Sequence, residues 1–146
     1  METRINIHSI EPKAYEAMHG LENYLSASVL DKKLIELIKI RASQINACAY
    51  CIDMHTKDAL KYGESTRRIF AISAWWESPL FDEKERVALK MTEEITLIAN
   101  NGLTSETYQK AKANFSDNEI AQIIMQIVTI NSWNRIAVST HMVHED

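Results

Sequence analysis

Cysteine occurs only twice in the chain, as Cys48-Ala49-Tyr50-Cys51, and His55 follows four positions later. On a helix each residue advances by about 100°, so positions 48, 51 and 55 share an arc of roughly 60° on one face. A dithiol at this spacing can close to a disulfide or hold a metal. An imidazole one turn beyond Cys51 can accept a thiol proton and leave the thiolate, the species that attacks an electrophile. Two plainer readings compete with this one. Free cysteines are often small buried hydrophobes. A structural zinc site needs four protein ligands, and the pair with His55 supplies three, so a carboxylate would have to complete it. If the cysteines open a helix, its positive end favours the lower thiol pKa at Cys48.

The elements that must position these groups read as helices. Glu11-Pro12 permits a helix start, because proline is tolerated in the first turn, and that helix extends to about Ala27. Asp31 caps a second helix through about Gln44, with apolar Leu34, Ile35, Leu37, Ile38 and Ile40 around much of its circumference. Cys48 to Tyr62 reads as a third, ended by Gly63 in a left-handed cap. The short break at Asn46-Ala47 makes helices two and three a hairpin with the dithiol near its bend. Ser65 caps a helix carrying Ile69, Phe70, Ile72, Trp75 and Trp76, which Ser78-Pro79 breaks. Asp82 to Glu85 has capping-box character before Val87, Ala88, Met91, Ile95 and Ile98, and Asn100-Asn101-Gly102 closes that helix. Thr104 or Ser105 opens a short helix to about Asn114, and Ser116 to Glu119 is a second capping box before a long apolar helix.

The chain has 146 residues, a length that suits one domain, 1–146, with a single core. Three glycines and two prolines leave little turn chemistry for a many-stranded sheet, so composition favours an all-α protein. The net charge of -4 offers no basic footprint for a nucleic-acid backbone. The N-terminal residues lack an apolar leader and no apolar run approaches the ~18 residues of a membrane span, so a cytoplasmic protein is expected. In a reducing compartment a Cys-x-x-Cys pair is more often catalytic or metal-binding than a permanent cross-link.

Glu36 lies by periodicity on a stripe with Lys32, Lys39 and Ser43, which reads as a solvated carboxylate beside a lysine. The stretch from Glu36 to Ala59 nevertheless resembles the core of AhpD-like alkylhydroperoxidases of the carboxymuconolactone decarboxylase superfamily. The shared pattern is a glutamate, eleven residues, Cys-x-x-Cys, three residues and a histidine. The resemblance is sharpest over about residues 30 to 65. Trp75-Trp76 and Ile130-Asn131-Ser132-Trp133-Asn134-Arg135 extend it with less specificity.

The resemblance implies an AhpD-like helical fold in which Glu36 faces the dithiol. It implies that Cys51 attacks the peroxide and Cys48 resolves the sulfenic acid, with Glu36 and His55 as a proton relay. It further implies hydroperoxide reduction through a Cys48/Cys51 cycle, a dithiol reductant of lipoyl type, a homo-oligomer (trimer or hexamer), and no metal, flavin or haem. The chain departs from the pattern at Tyr50, where alkylhydroperoxidase D proteins can carry a second histidine. Tyrosine is no base near neutral pH, which shortens the relay. Trp75 and Trp76 either wall a pocket for the organic part of a hydroperoxide or anchor a core or subunit contact. Asn131, Asn134 and Arg135 read as structural hydrogen-bonders, and His141 and His144 as solvated. Two other functions stay open. One is a decarboxylase-like lyase, whose chemistry does not use a Cys-x-x-Cys pair. The other is a non-enzymatic zinc-binding or redox-sensing oligomer.

Overall fold

A computed structural model describes residues 2–144, and every regular element among them is helical. The helices are α1 (Ile7–Ile10), α2 (Pro12–Ser26), α3 (Lys32–Ile45), α4 (Ala49–Lys61), α5 (Thr66–Ala71), α6 (Glu83–Thr96), α7 (Ser105–Asn114) and α8 (Asp117–Thr140). Among the described residues no helix is long and apolar enough to cross a membrane.

Local chemistry sets most boundaries. Asp31 accepts from the Lys33 and Leu34 amides at the start of α3, and Ser65 and Thr104 cap α5 and α7 in the same way. Asp82 with Glu85, and Ser116 with Glu119, close reciprocal capping boxes at α6 and α8. At the end of α4, Gly63 takes φ +84°, Glu64 N–H reaches the Ala59 carbonyl and Gly63 N–H that of Leu60. This is the Schellman arrangement, and it satisfies carbonyls the helix would otherwise leave bare. The short α1, capped by Asn6, lies in the N-terminal segment where no helix was expected.

α3 is the central element and packs on α4, α6 and α8. It feeds three apolar clusters from different faces. Leu34 and Ile38 meet Met91, Ile123 and Ile127; Leu37 and Ile40 meet Ala59, Ile72 and Leu89; Ala42 joins Cys48, Cys51, Ile130 and Ala137. Each fully buried side chain of this size contributes about 1.5–3 kcal/mol. The wrapped apolar pattern of α3 therefore marks a helix buried on most sides.

One expected helix is shorter than its pattern. α5 stops at Ala71 and gives way to a 3-10 turn over Ile72–Ala74. Ile69, Ile72 and Trp75 face the core, whereas Phe70 and Trp76 are exposed. The tighter turn keeps the inward residues in register while rotating Trp76 to the surface.

Between α3 and α4 the chain reverses through Ala47, an exposed residue with φ 53°. A non-glycine residue in this left-handed region costs roughly 1–2 kcal/mol, because its Cβ crowds the following carbonyl. The strain sits directly before Cys48. Ala47→Gly should relieve it, raising the unfolding free energy by about 0.5–1 kcal/mol after the added chain entropy of glycine. Urea denaturation of the oxidised protein measures this; an unchanged or lower midpoint would show that the bend is not strained.

Candidate active site

The hairpin bend makes Cys48 the N-cap of α4 rather than a member of its first turn. Its backbone is extended, and its Sγ accepts the Cys51 amide at 3.3 Å. Cys48 and Cys51 form a disulfide across a Cα–Cα distance of 5.4 Å. Both cysteines are buried. The shared helical face of positions 48, 51 and 55 is therefore built from a cap residue and two residues of α4 proper.

From Asn46-Ala47 the two arms run back antiparallel, at about 1.5 Å per residue, so residues equally far from the bend lie opposite each other. Glu36 on α3 and His55 on α4 meet in this way, with His55 Nδ1 2.9 Å from Glu36 Oε2. Glu36 is only 4% exposed, which overturns the solvated-stripe reading and sets its carboxylate against His55. Lys39, its expected neighbour on that stripe, does approach Glu36 Oε1, at 3.5 Å. The neutral tautomer that donates from Nδ1 to this carboxylate leaves Nε2 as an acceptor lone pair.

A cavity of about 370 Å³ opens beside this pair. Cys51 and His55 line it, while Cys48 lies outside its lining. The roof comes from α2, through Tyr15, His19 and Glu22, and one wall from Trp133 of α8. Trp133 Nε1 donates to Glu22 at 3.0 Å, and its ring meets Tyr15 edge-on at 5.3 Å between centroids. Burial, followed by the charge of Tyr50, raises the Tyr15 phenol above its ordinary value of 10.0, so it is protonated at neutral pH. Tyr50 also lines the cavity and stacks on His144.

Glu36, His55 and Asp58 bring ligand atoms within 4.8 Å of one another, the one such metal-ligating group among the described residues. Both carboxylates already face ammonium groups, Glu36 that of Lys39 and Asp58 that of Lys61 at 2.8 Å. These charges oppose a cation, and the disulfide holds the sulfurs that a zinc site would need.

Behind the dithiol, Asn46 Nδ2 donates to Asn131 and Asn134 at 2.9 Å each, and Asn134 donates to Ser43 Oγ at 3.0 Å. Arg135 donates to the Asn131 carbonyl and side chain. The asparagines thus tie the bend to α8 as hydrogen-bonders. Trp75 and Trp76 do not wall the dithiol cavity. Trp75 is buried in the core with its Nε1 on Glu93, and both line a separate cavity with Arg86 and Lys90. His144, expected to be merely solvated, pairs with Asp53 at 3.4 Å as well as stacking on Tyr50.

Sequence reasoning missed the roof. Tyr15, His19 and Glu22 stand at i, i+4 and i+7 on α2, a stripe visible in the sequence but without cysteine or carboxylate pairing to mark it. Trp133 was visible only as part of a run resembling relatives.

The sequence profile of the Carboxymuconolactone decarboxylase family matches residues 12–94, which span α2 through most of α6. The uncharacterized protein YdfG of Bacillus subtilis is 38% identical over 139 residues, covering 95% of each chain. The crystal structure of an Agrobacterium tumefaciens protein of unknown function, described as a candidate antioxidant defence protein AhpD, has 43% identity and a TM-score of 0.96 over 99% of both chains. The debrominase Bmp8 shares the fold at 19% identity and a TM-score of 0.83, over 94% of this chain and 74% of its own.

Asn134→Leu should destabilise the oxidised protein by about 1–2 kcal/mol, because it removes two hydrogen bonds of the network while Asn46 keeps Asn131 and Ser43 keeps the Lys39 carbonyl. Urea unfolding checks this, and a loss under about 0.5 kcal/mol would remove the asparagine network as the anchor of the bend.

Proposed function

Because the chain belongs to the Carboxymuconolactone decarboxylase family, with an AhpD-like all-α fold, we propose that it reduces organic hydroperoxides through a Cys48/Cys51 dithiol–disulfide cycle. The observation that carries this reading is the placement of Cys51 and of the Glu36-paired His55 on one cavity.

In the oxidative half, His55 Nε2 takes the Cys51 thiol proton, while Glu36 holds the ring oriented and balances its positive charge. The Cys51 thiolate attacks the distal peroxide oxygen. The O–O bond breaks, Cys51 becomes a sulfenic acid, and the departing alkoxide takes the proton from His55 to become an alcohol. The Cys48 thiol then attacks the Cys51 sulfur, forming the disulfide and releasing water.

The reductive half explains why the helix cap and the catalytic order do not conflict. A thiolate of an external dithiol enters the cavity and attacks Cys51, the sulfur that borders it. Cys48 is the leaving group, and the Cys51 amide with the positive end of α4 stabilises its thiolate. The electrostatic advantage of Cys48, expected from the helix terminus, thus serves departure rather than attack. A slender lipoyl-type dithiol suits this cavity. Cytoplasmic reducing conditions would keep the cycle running. Large exposed apolar side chains, among them Phe70 and Trp76, support a homo-oligomer.

Reduced protein mixed with a slight excess of cumene hydroperoxide, followed by mass spectrometry, should gain the Cys48–Cys51 disulfide, and dihydrolipoamide should remove it. Cys51→Ser should abolish peroxide consumption. Cys48→Ser should allow one oxidation that stops at sulfenic acid, detected by dimedone labelling. Full turnover in Cys51→Ser would reverse the assignment, and inert thiols in the unmodified protein would exclude the peroxidase reading.

Glu36→Gln should slow thiol oxidation about 10²-fold near neutral pH, the lower end of what a positioned proton-transfer group contributes. Its far-ultraviolet circular dichroism should stay unchanged. A wild-type rate would return Glu36 to a packing role.

A further inference from the structure

The cavity beside Cys51 has a lining unlike the apolar core. The core clusters that α3, α6 and α8 share are built mainly from leucine, isoleucine, valine and alanine, with Met91, Phe115, Trp75 and Phe81 among them. Among the described residues the cavity has no branched aliphatic side chain on its walls. Its apolar surface is made by Tyr15, Tyr50, Trp133, Met54, Met142 and Ala137. Three flat rings and two thioethers are groups that gain more from an aromatic guest than from an alkyl chain. Ring pairs contribute about 0.5–1.5 kcal/mol beyond area burial, and sulfur–ring contacts about 0.3–1.5 kcal/mol.

Trp133 is held for this purpose. Its N–H is satisfied by Glu22 and its edge is engaged by Tyr15, so the indole is fixed rather than free to collapse into the space. Size agrees as well. A dry cavity of about 150 Å³ is enough for benzene, so about 370 Å³ holds a ring together with a peroxide group reaching Cys51.

We propose that the substrate is an arene-bearing hydroperoxide, its ring seated among Trp133, Tyr50 and the two methionines while its O–O group lies at Cys51. This selectivity rests on the peroxidase reading above. The ring site itself can be tested without turnover.

Two measurements separate them. First, oxidised protein is titrated with 2-phenyl-2-propanol and, in parallel, with tert-butanol, and the ¹³C-methyl resonances of methionine are followed. The arene alcohol should shift Met54 and Met142 saturably at concentrations at least about tenfold below any effect of tert-butanol. Equal response, or none, overturns the ring site. Second, reduced protein is mixed with cumene hydroperoxide and with tert-butyl hydroperoxide, each rate being divided by that of free dithiothreitol with the same peroxide. The normalised ratio should favour cumene hydroperoxide by about tenfold and fall toward one in Trp133→Leu and in Tyr50→Leu. A ratio of one in the unmodified protein, or an undiminished ratio in both variants, overturns the selectivity. Saturable arene binding with thiols inert to both peroxides would sink the peroxidase reading and with it the hydroperoxide, while showing that the cavity still selects rings.

Discussion

The structure turns on one buried contact, the hydrogen bond between Glu36 and His55. A carboxylate removed from water costs several kcal/mol unless a partner replaces the lost hydration. Here the partners are the imidazole of α4 and, at longer range, Lys39 one turn along α3. The requirement acts on the whole hairpin. It sets which turn of α3 faces which turn of α4, and through the intervening bend it sets where Cys48 and Cys51 stand. Were the register shifted by one residue, each side chain would rotate by about 100° and the carboxylate would face apolar neighbours instead of imidazole.

The bend is held from a second direction. Asn46, Asn131, Asn134 and Ser43 form a polar knot between the α3–α4 reversal and α8, inside an otherwise apolar cluster that includes both cysteines. Such a network gains strength from the low dielectric around it, and for the same reason loses heavily if one member is missing. It fixes the position of the Cys48 amide and carbonyl independently of the sulfur chemistry. In the proposed cycle the dithiol would therefore open and close on a backbone that neither form has to build.

Local chemistry made much of this legible in the sequence. Caps at Asp31, Asp82, Thr104 and Ser116, the break at Asn46-Ala47 and the stop at Gly63 all depend on interactions within a few residues, and each occurs where the pattern put it. Glu36 shows where periodicity stops being informative. Its own helix places it beside Lys39 on a polar stripe, and nothing in α3 alone says that α4 will cover that stripe. Only the joint spacing of glutamate, cysteines and histidine around a bend carries that information, because it encodes the register of two antiparallel helices. Trp76 fails in the opposite sense, since a helical pattern that includes it hides the switch to a 3-10 turn before it, while Phe70 is exposed on α5 itself.

The roof of the cavity illustrates a different kind of opacity. α2 buries only Leu25, and α8 is the core helix it packs on most. Its seat depends on Tyr15 against Trp133 and on Glu22 at the indole N–H, contacts more than a hundred residues apart in the chain. No periodicity within α2 predicts that partner. The weak packing fits the chemistry proposed below it. Both cysteines are almost wholly shielded, and in the proposed cycle a thiolate would have to approach Cys51 along the S–S axis to displace Cys48. A cover anchored by one hydrogen bond and two ring contacts, from Tyr15 and His19 to Trp133, yields at lower cost than the hairpin beneath it, fixed by a buried carboxylate and an asparagine knot. Rigidity and looseness are thus divided between the two sides of the same cavity, and Cys51, rather than Cys48, is the cysteine that borders it.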